Sequence, residues 1–185
     1  GMTGQTNSQG RNHMKFRLTQ IATAYLALKD EPSLDPRMKA VVADWMEEVA
    51  TRHVRLWYER TGLLDTPELT SNLLFWSCTC YMAVGLAVED EWMYDWGIQH
   101  GYRQFIKAIK PDGTLPAELG RGARSHSYHA FAAATLSLAA FFGEANGDPL
   151  AEWKSESTGE PALDALWDIT IRGYYDASVF SGLTG

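Results

Sequence analysis

Leu73-Leu74-Phe75-Trp76-Ser77-Cys78-Thr79-Cys80-Tyr81-Met82-Ala83-Val84-Gly85-Leu86-Ala87-Val88 contains no charged residue. A helix that is apolar on every side has no face to give to water, so this segment belongs inside the protein. The stretch from Ser125 to Gly143 is built alike, around Ala130-Phe131-Ala132-Ala133-Ala134. No apolar run reaches the roughly 18 residues of a membrane span, so both read as core helices and no membrane partner is expected.

The segments flanking and separating these two follow a different rule. Asp35-Pro36 is a cap followed by proline at the first helical position. Beyond it, Val41, Val42, Trp45, Met46, Val49, Val54, Trp57 and Tyr58 share one stripe, with Asp44, Glu47, Glu48, Arg52 and Arg55 largely opposite. That is an amphipathic helix, ended by Thr61-Gly62. Asp90 to Lys110 repeats the design through Trp92, Met93, Trp96, Tyr102, Phe105, Ile106 and Ile109, and Pro111-Asp112-Gly113 stops it. Pro161 to Asp176 does so again through Leu163, Leu166, Trp167 and Ile171. A first helix is expected over about Met14 to Lys29. No alternating strand pattern is present. Buried helices alternating with amphipathic ones predict an all-α fold of two concentric layers, an incomplete α/α barrel (toroid) of inner buried and outer amphipathic helices. A globin-like bundle is the competing architecture. In a toroid the functional side chains lie at the starts of the buried helices and in the loops before them.

At 185 residues, 45% hydrophobic and with seven Trp, the chain is expected to be one domain, residues 1–185, with a dense core. Cys78 and Cys80 point to different faces of their helix, which argues against a disulfide or a shared metal and for buried thiols. The net charge of −7 disfavours nucleic acid. Its distribution is uneven. From Gln99 to His129 there are five basic residues, Arg103, Lys107, Lys110, Arg121 and Arg124, against Asp112 and Glu118. The first three read as the solvated face of a helix. Arg121 and Arg124 fall in a loop, where they could receive an acidic ligand. His126 and His129 lie three apart, but no third ligand is close in sequence, so no metal is expected.

Two stretches carry a family resemblance. One is Ser71-Asn72-Leu73-Leu74-Phe75-Trp76. The other is Gly113-Thr114-Leu115-Pro116-Ala117-Glu118-Leu119-Gly120-Arg121-Gly122-Ala123-Arg124-Ser125-His126-Ser127-Tyr128-His129. They resemble the alginate lyase family that includes periplasmic poly(β-D-mannuronate) lyases. The family patterns are Asn-Asn-His-x-Tyr-Trp, then Leu-Pro-x-Glu-Leu-x-Arg and a Tyr-His pair. The flanks Thr23-Ala24-Tyr25-Leu26, Ala145-Asn146-Gly147 and Thr184-Gly185 are similar too. The chain resembles about the later half of a family member.

What the resemblance implies is a polysaccharide lyase that cleaves alginate (polymannuronate) or a related polyuronate by β-elimination, without a cofactor. Removal of the uronate C5 proton builds negative charge beside a carboxylate, so hydrogen bonds and positive charge must meet it there. By this resemblance Asn72 donates to the carboxylate. Arg121, seven residues before Tyr128, places a guanidinium that favours the phenolate form of Tyr128 as base. Once protonated, the same oxygen serves as acid to the leaving group. Arg124, His126, His129 and Trp76 are expected to bind substrate, Trp76 as a platform under a sugar ring. The bland readings are a capping Asn72, an Arg121–Glu118 ion pair, and Tyr128 and Trp76 in the core.

One departure matters. The family histidine after the asparagine is Leu73 here, and its neighbours are changed to Ser71 and Phe75. Leucine cannot neutralise a carboxylate, and losing such a donor typically costs about 100- to 1000-fold in rate. His126 is a candidate substitute. A homologue that binds acidic polysaccharide with impaired catalysis, or a structural fragment without activity, are the alternatives. The resemblance implies a periplasmic or secreted protein. The start, Gly1-Met2-Thr3-Gly4-Gln5, shows no signal peptide, and Gly1 reads as the remnant of a cleaved tag. Apolar edges left by a partial toroid predict a homo-oligomer.

Overall fold

The computed structural model describes residues 8–61 and 71–184. Helix α1 spans Ser8–Leu28 and α2 spans Pro36–Val49, running through a π-helical segment, Ala50–Arg55, into α3, Leu56–Thr61. Helix α4 covers Asn72–Val88 and α5 Glu91–Gly97; a second π-helical segment, Ile98–Tyr102, leads to α6, Arg103–Ala108. The short α7, Pro116–Leu119, and a single 3-10 turn, Gly122–Arg124, precede α8, Ser125–Ala145. Helices α9, Ala162–Tyr175, and α10, Ser178–Thr184, close the chain. Among the described residues the only β feature is an isolated bridge between Lys154 and Pro161. None of these helices is long and apolar enough to cross a membrane.

The charge-free stretches form the centre. Helix α4 packs against α1, α5 and α8, and α9 backs α8. Phe75, Cys78, Cys80, Tyr81, Met82 and Val84 of α4 are all buried, as are Ala132, Ala133, Leu136 and Ala139 of α8. Burying each large side chain contributes about 1.5–3 kcal/mol, so α4 is held by its surroundings rather than by its own helix propensity. Cys78 and Cys80 are free and buried, as their surroundings in the sequence suggest.

The outer helices behave as amphipathic elements with two differences. Helix α2 starts as expected, with Asp35 accepting from the Arg37 N–H and Pro36 following it. Its contact stripe, however, is narrower than the apolar pattern. Met46 and Ala50 are fully buried, whereas Val41 is 63% and Trp45 44% exposed. Trp92 and Ile171 are likewise exposed at the margins of their helices. A peripheral helix touches its neighbour along one line of side chains, and apolar residues flanking that line stay in water. The Trp57 side chain and Gly62 lie outside the described residues.

The second difference is the pair of π-helical segments, which apolar periodicity cannot announce. At Ile98–Tyr102 the cause is close packing. A Cβ on Gly97 would collide with Met82, and one on Gly101 with Cys78. These two glycines let the chain press onto α4, and the extra residue in the turn accommodates that approach.

Candidate functional site

The site is built around the first turn of α4. Ser71 is extended (φ −121°, ψ 165°) and offers no side-chain cap, so the turn's orphan N–H groups need another acceptor. Glu118 supplies it from α7. One of its oxygens, Oε1, accepts from the Asn72 backbone N–H at 2.7 Å and from Asn72 Nδ2 at 2.9 Å. Both residues are 0% exposed. A carboxylate placed there is also favoured by the positive end of the helix dipole. Asn72 is therefore not the cap; it is the residue that is held.

Two polar atoms in this pair remain without a hydrogen bond among the described residues, Asn72 Oδ1 and Glu118 Oε2. Buried orphans of this kind are uncommon and call for a reason. Glu118 Oε2 faces the Nε of Arg121 at 3.6 Å, an ion pair too long to be a hydrogen bond. The Arg121 guanidinium carbon lies 5.0 Å from the centre of the Tyr128 ring. Asn72, Glu118, Arg121 and Tyr128 thus form one chain of contacts, running from a buried amide to a half-exposed phenol. The structure brings together the three residues expected to be catalytic, and the link between them is Glu118. Glu118 and Arg121 are neighbours in sequence, whereas the grip of Glu118 on Asn72 spans 46 residues and leaves no mark in the local pattern.

Helix α7 is fixed from behind. Ser125 Oγ lies 2.9 Å from both the Glu118 and the Leu119 carbonyls. His129 Nε2 accepts from the Leu115 N–H at 2.9 Å, and its Nδ1 meets the Ser125 carbonyl at 2.8 Å. The proton must then sit on Nδ1, giving a neutral ring. Burial lowers the His129 pKa from its ordinary value. His129 is 0% exposed with both nitrogens engaged, so the contact with substrate expected of it is replaced by support of the loop. Gly113, at φ +84°, makes this loop possible, since a side chain there would strike the Ala165 carbonyl.

The remaining candidates are dispersed. His126 Nε2 bonds the Thr170 carbonyl at 3.0 Å and its ring packs on Phe180, so it is committed to α9 and α10 instead of standing in for the missing histidine. Arg124 is exposed in the 3-10 turn. Trp76, half-buried one turn beyond Asn72, sits 5.1 Å from both Phe16 and Phe131. This trio lines a recess of about 790 Å³ between α1, α4 and α8, shared with His13, Arg17 and Gln20. Its Nε1 has no partner among the described residues. No group of three His, Cys, Asp or Glu among them is placed to hold a metal.

Comparison with known proteins agrees with this geometry. The alginate lyase of Pseudomonas syringae pv. syringae (strain B728a) is 30% identical over 183 residues, 97% of this chain and 46% of its own length. That of Cobetia marina is 28% identical, over 100% of this chain and 47% of its own. The crystal structure of alginate lyase A1-III from Sphingomonas species A1 superposes with a TM-score of 0.83 at 20% identity, covering 95% of this chain and 47% of that one. A variant of that lyase complexed with a tetrasaccharide gives 0.85 at 20% identity, over 97% and 50%. The helices are thus arranged as part of an α/α toroid and not as a globin-like bundle, and the chain spans about half the length of these relatives. The alginate lyase family model matches residues 2–180, and the chain belongs to that family.

Proposed function

We propose that residues 1–185 form a single alginate-lyase-like domain carrying the proton-transfer side of a polyuronate lyase site, acting on alginate or a close relative. The observation that supports this most is the Arg121 guanidinium against the Tyr128 ring, with Arg121 anchored to the buried Glu118. The Tyr128 phenol oxygen is the general base that accepts the C5 proton, and Arg121 holds its ring in place. The C5–H electron pair then becomes the C4=C5 double bond, the C4–O4 bond breaks, and the Tyr128 hydroxyl returns the proton to the leaving O4.

Asn72 serves the carboxylate side. Its Nδ2 has a second hydrogen beyond the one given to Glu118, and charge accumulating on the uronate carboxylate is what an amide donor stabilises. Arg124 adds an exposed cation at the rim, and Trp76 with Phe16 and Phe131 offers an apolar platform one turn deeper. The tetrasaccharide bound by the Sphingomonas variant is consistent with a site that takes several sugars. The same reading favours the periplasm or the outside of the cell, and predicts self-association through exposed apolar side chains, Phe141, Tyr174 and Tyr175 included.

One observation favours a second reading, a homologue that binds acidic polysaccharide but turns it over poorly. Leu73 follows Asn72, and neither His126 nor His129 is free to replace the side chain it lacks. The test is the ultraviolet absorbance of unsaturated uronate released from mannuronate-rich alginate by the parent, Tyr128→Phe and Leu73→His. We expect Tyr128→Phe to lose at least about 100-fold, the usual contribution of a positioned acid–base group. Activity recovered only in Leu73→His selects the impaired homologue; activity unchanged in Tyr128→Phe removes tyrosine from the mechanism.

A further inference from the structure

Lys15 on α1 is buried, 4% exposed, and the site as described does not use it. Its Nζ donates to Tyr58 Oη at 3.0 Å, to Ser77 Oγ at 3.1 Å and to the Leu73 carbonyl. Tyr58 Oη and Ser77 Oγ each donate to the same carbonyl, both at 2.9 Å. An ammonium has three hydrogens and no lone pair. Both hydroxyls must therefore turn their own hydrogens elsewhere, and both turn them to Leu73. Three side chains from three helices converge on one backbone oxygen.

That oxygen belongs to the second residue of α4, next to Asn72. We propose that Lys15 is a positioning residue for the candidate site: its charged form clamps the Leu73 carbonyl from behind and so fixes the turn that presents Asn72. The positioning role rests on Asn72 belonging to the site proposed above. Because the clamp grips backbone, it does not depend on the side chain at position 73 and survives the loss of the family histidine.

The clamp is also sensitive to pH. The titratable groups facing Nζ are Tyr58 from α3 and Cys78 and Cys80 from α4, all three kept neutral because burial raises their pKa values. Arg55, on the neighbouring π-helical segment, is turned to Glu59 and the Trp92 ring. Among the described residues no carboxylate is in the group, and burial brings the Lys15 pKa down to about 7. A neutral amine has two hydrogens and one lone pair, which must receive a hydrogen from Tyr58 or Ser77. One hydroxyl then leaves Leu73, and the three-donor arrangement is broken.

At 20.6 kDa the protein is suited to solution NMR. With lysine labelled at 13Cε, one resonance should titrate near neutrality and vanish in Lys15→Met. The Leu73 carbonyl carbon and the Asn72 side-chain amide should shift with the same midpoint in the parent and stay flat in Lys15→Met. Leu73 and Asn72 signals that ignore the Lys15 titration, or that titrate equally in Lys15→Met, overturn the proposal. Should Lys15→Met not fold, Ser77→Ala keeps the ammonium but removes one acceptor. It should lower the midpoint, and an unmoved midpoint sinks the clamp. Binding of a mannuronate oligomer should weaken through the same midpoint. If no oligomer binds at any pH while the coupled titration persists, the proposed function fails and the clamp stands.

Discussion

The first turn of α4 is gripped from two sides by opposite charges. On one side the Glu118 carboxylate accepts two hydrogens from Asn72. On the other the Lys15 ammonium and two hydroxyls give theirs to the Leu73 carbonyl. The anionic grip is local to the site: Glu118 goes on to Arg121, and Arg121 to Tyr128. The cationic grip is made to neutral groups, Tyr58, Ser77 and the Leu73 carbonyl. Burying an unpaired ammonium is costly, whereas a carboxylate at a helix N-terminus with a guanidinium close by is partly compensated. The two grips therefore respond differently to being broken.

Removing the anionic grip has the largest effect. Glu118→Ala leaves the Asn72 N–H and Nδ2 buried without an acceptor, at about 1–3 kcal/mol for each group, so a loss of about 3 kcal/mol is expected in urea unfolding. Glu118→Gln keeps an oxygen for Asn72 and should lose clearly less. Equal losses in the two variants would mean that charge, not hydrogen bonding, holds the turn.

The cationic grip should behave in the opposite sense. The Lys15 pKa is about 7 in the native state against 10.5 for the ordinary side chain. Between those values the unfolded chain holds a proton that the native protein has shed, so native stability rises with pH. The contribution is complete above 10.5 and is lost as the pH falls to about 7. From pH 7 to 9 the gain is about 2 kcal/mol, and it should be missing from Lys15→Met. The ammonium holds Leu73 better than the amine does, yet it is dearer to bury. A parent and a Lys15→Met variant with parallel stability profiles would show that water reaches Nζ. Within the same cluster Ser77→Ala is expected to cost about 1 kcal/mol, the net value of an ordinary hydrogen bond.

These two grips also mark how far the sequence could be read. The helices were legible because charge is absent from Leu73 to Val88 and from Ser125 to Gly143, and that absence follows directly from burial on all sides. Asn72, Arg121 and Tyr128 were legible only through family-like stretches, since each is commonplace by itself. Glu118 lay inside one of those stretches and its partner Asn72 in the other, and nothing in either joins two residues 46 apart. Lys15 was hidden altogether. It sits in α1 beside Arg17 among ordinary helix-surface residues, and only the tertiary fold gives it three acceptors. The π-helical segments were hidden for a related reason: Gly97 and Gly101 signal close approach, but what they approach is α4, about twenty residues away.

The smallest expected effect separates the grips by the side of neutrality on which each one titrates. Glu118 is carried by α7, and α7 is tied to α8 through the Leu115 N–H and His129 Nε2. Protonating His129 puts a hydrogen where that N–H already points, so the bond cannot survive it. Burial holds the His129 pKa below its ordinary 6.5. In the window below 6.5 the unfolded imidazole takes a proton that the native one refuses, so stability is present above that value and falls away on acidification. The loss should begin below that value, after Lys15 has taken up most of its proton on the way down from neutrality. His129→Gln keeps an acceptor for Leu115 that does not titrate. It should flatten the acid limb below pH 6.5 while leaving the alkaline rise intact. If the acid limb persists unchanged in His129→Gln, the anionic side of the turn is being titrated at a carboxylate, and α7 is held by something other than its bond to His129.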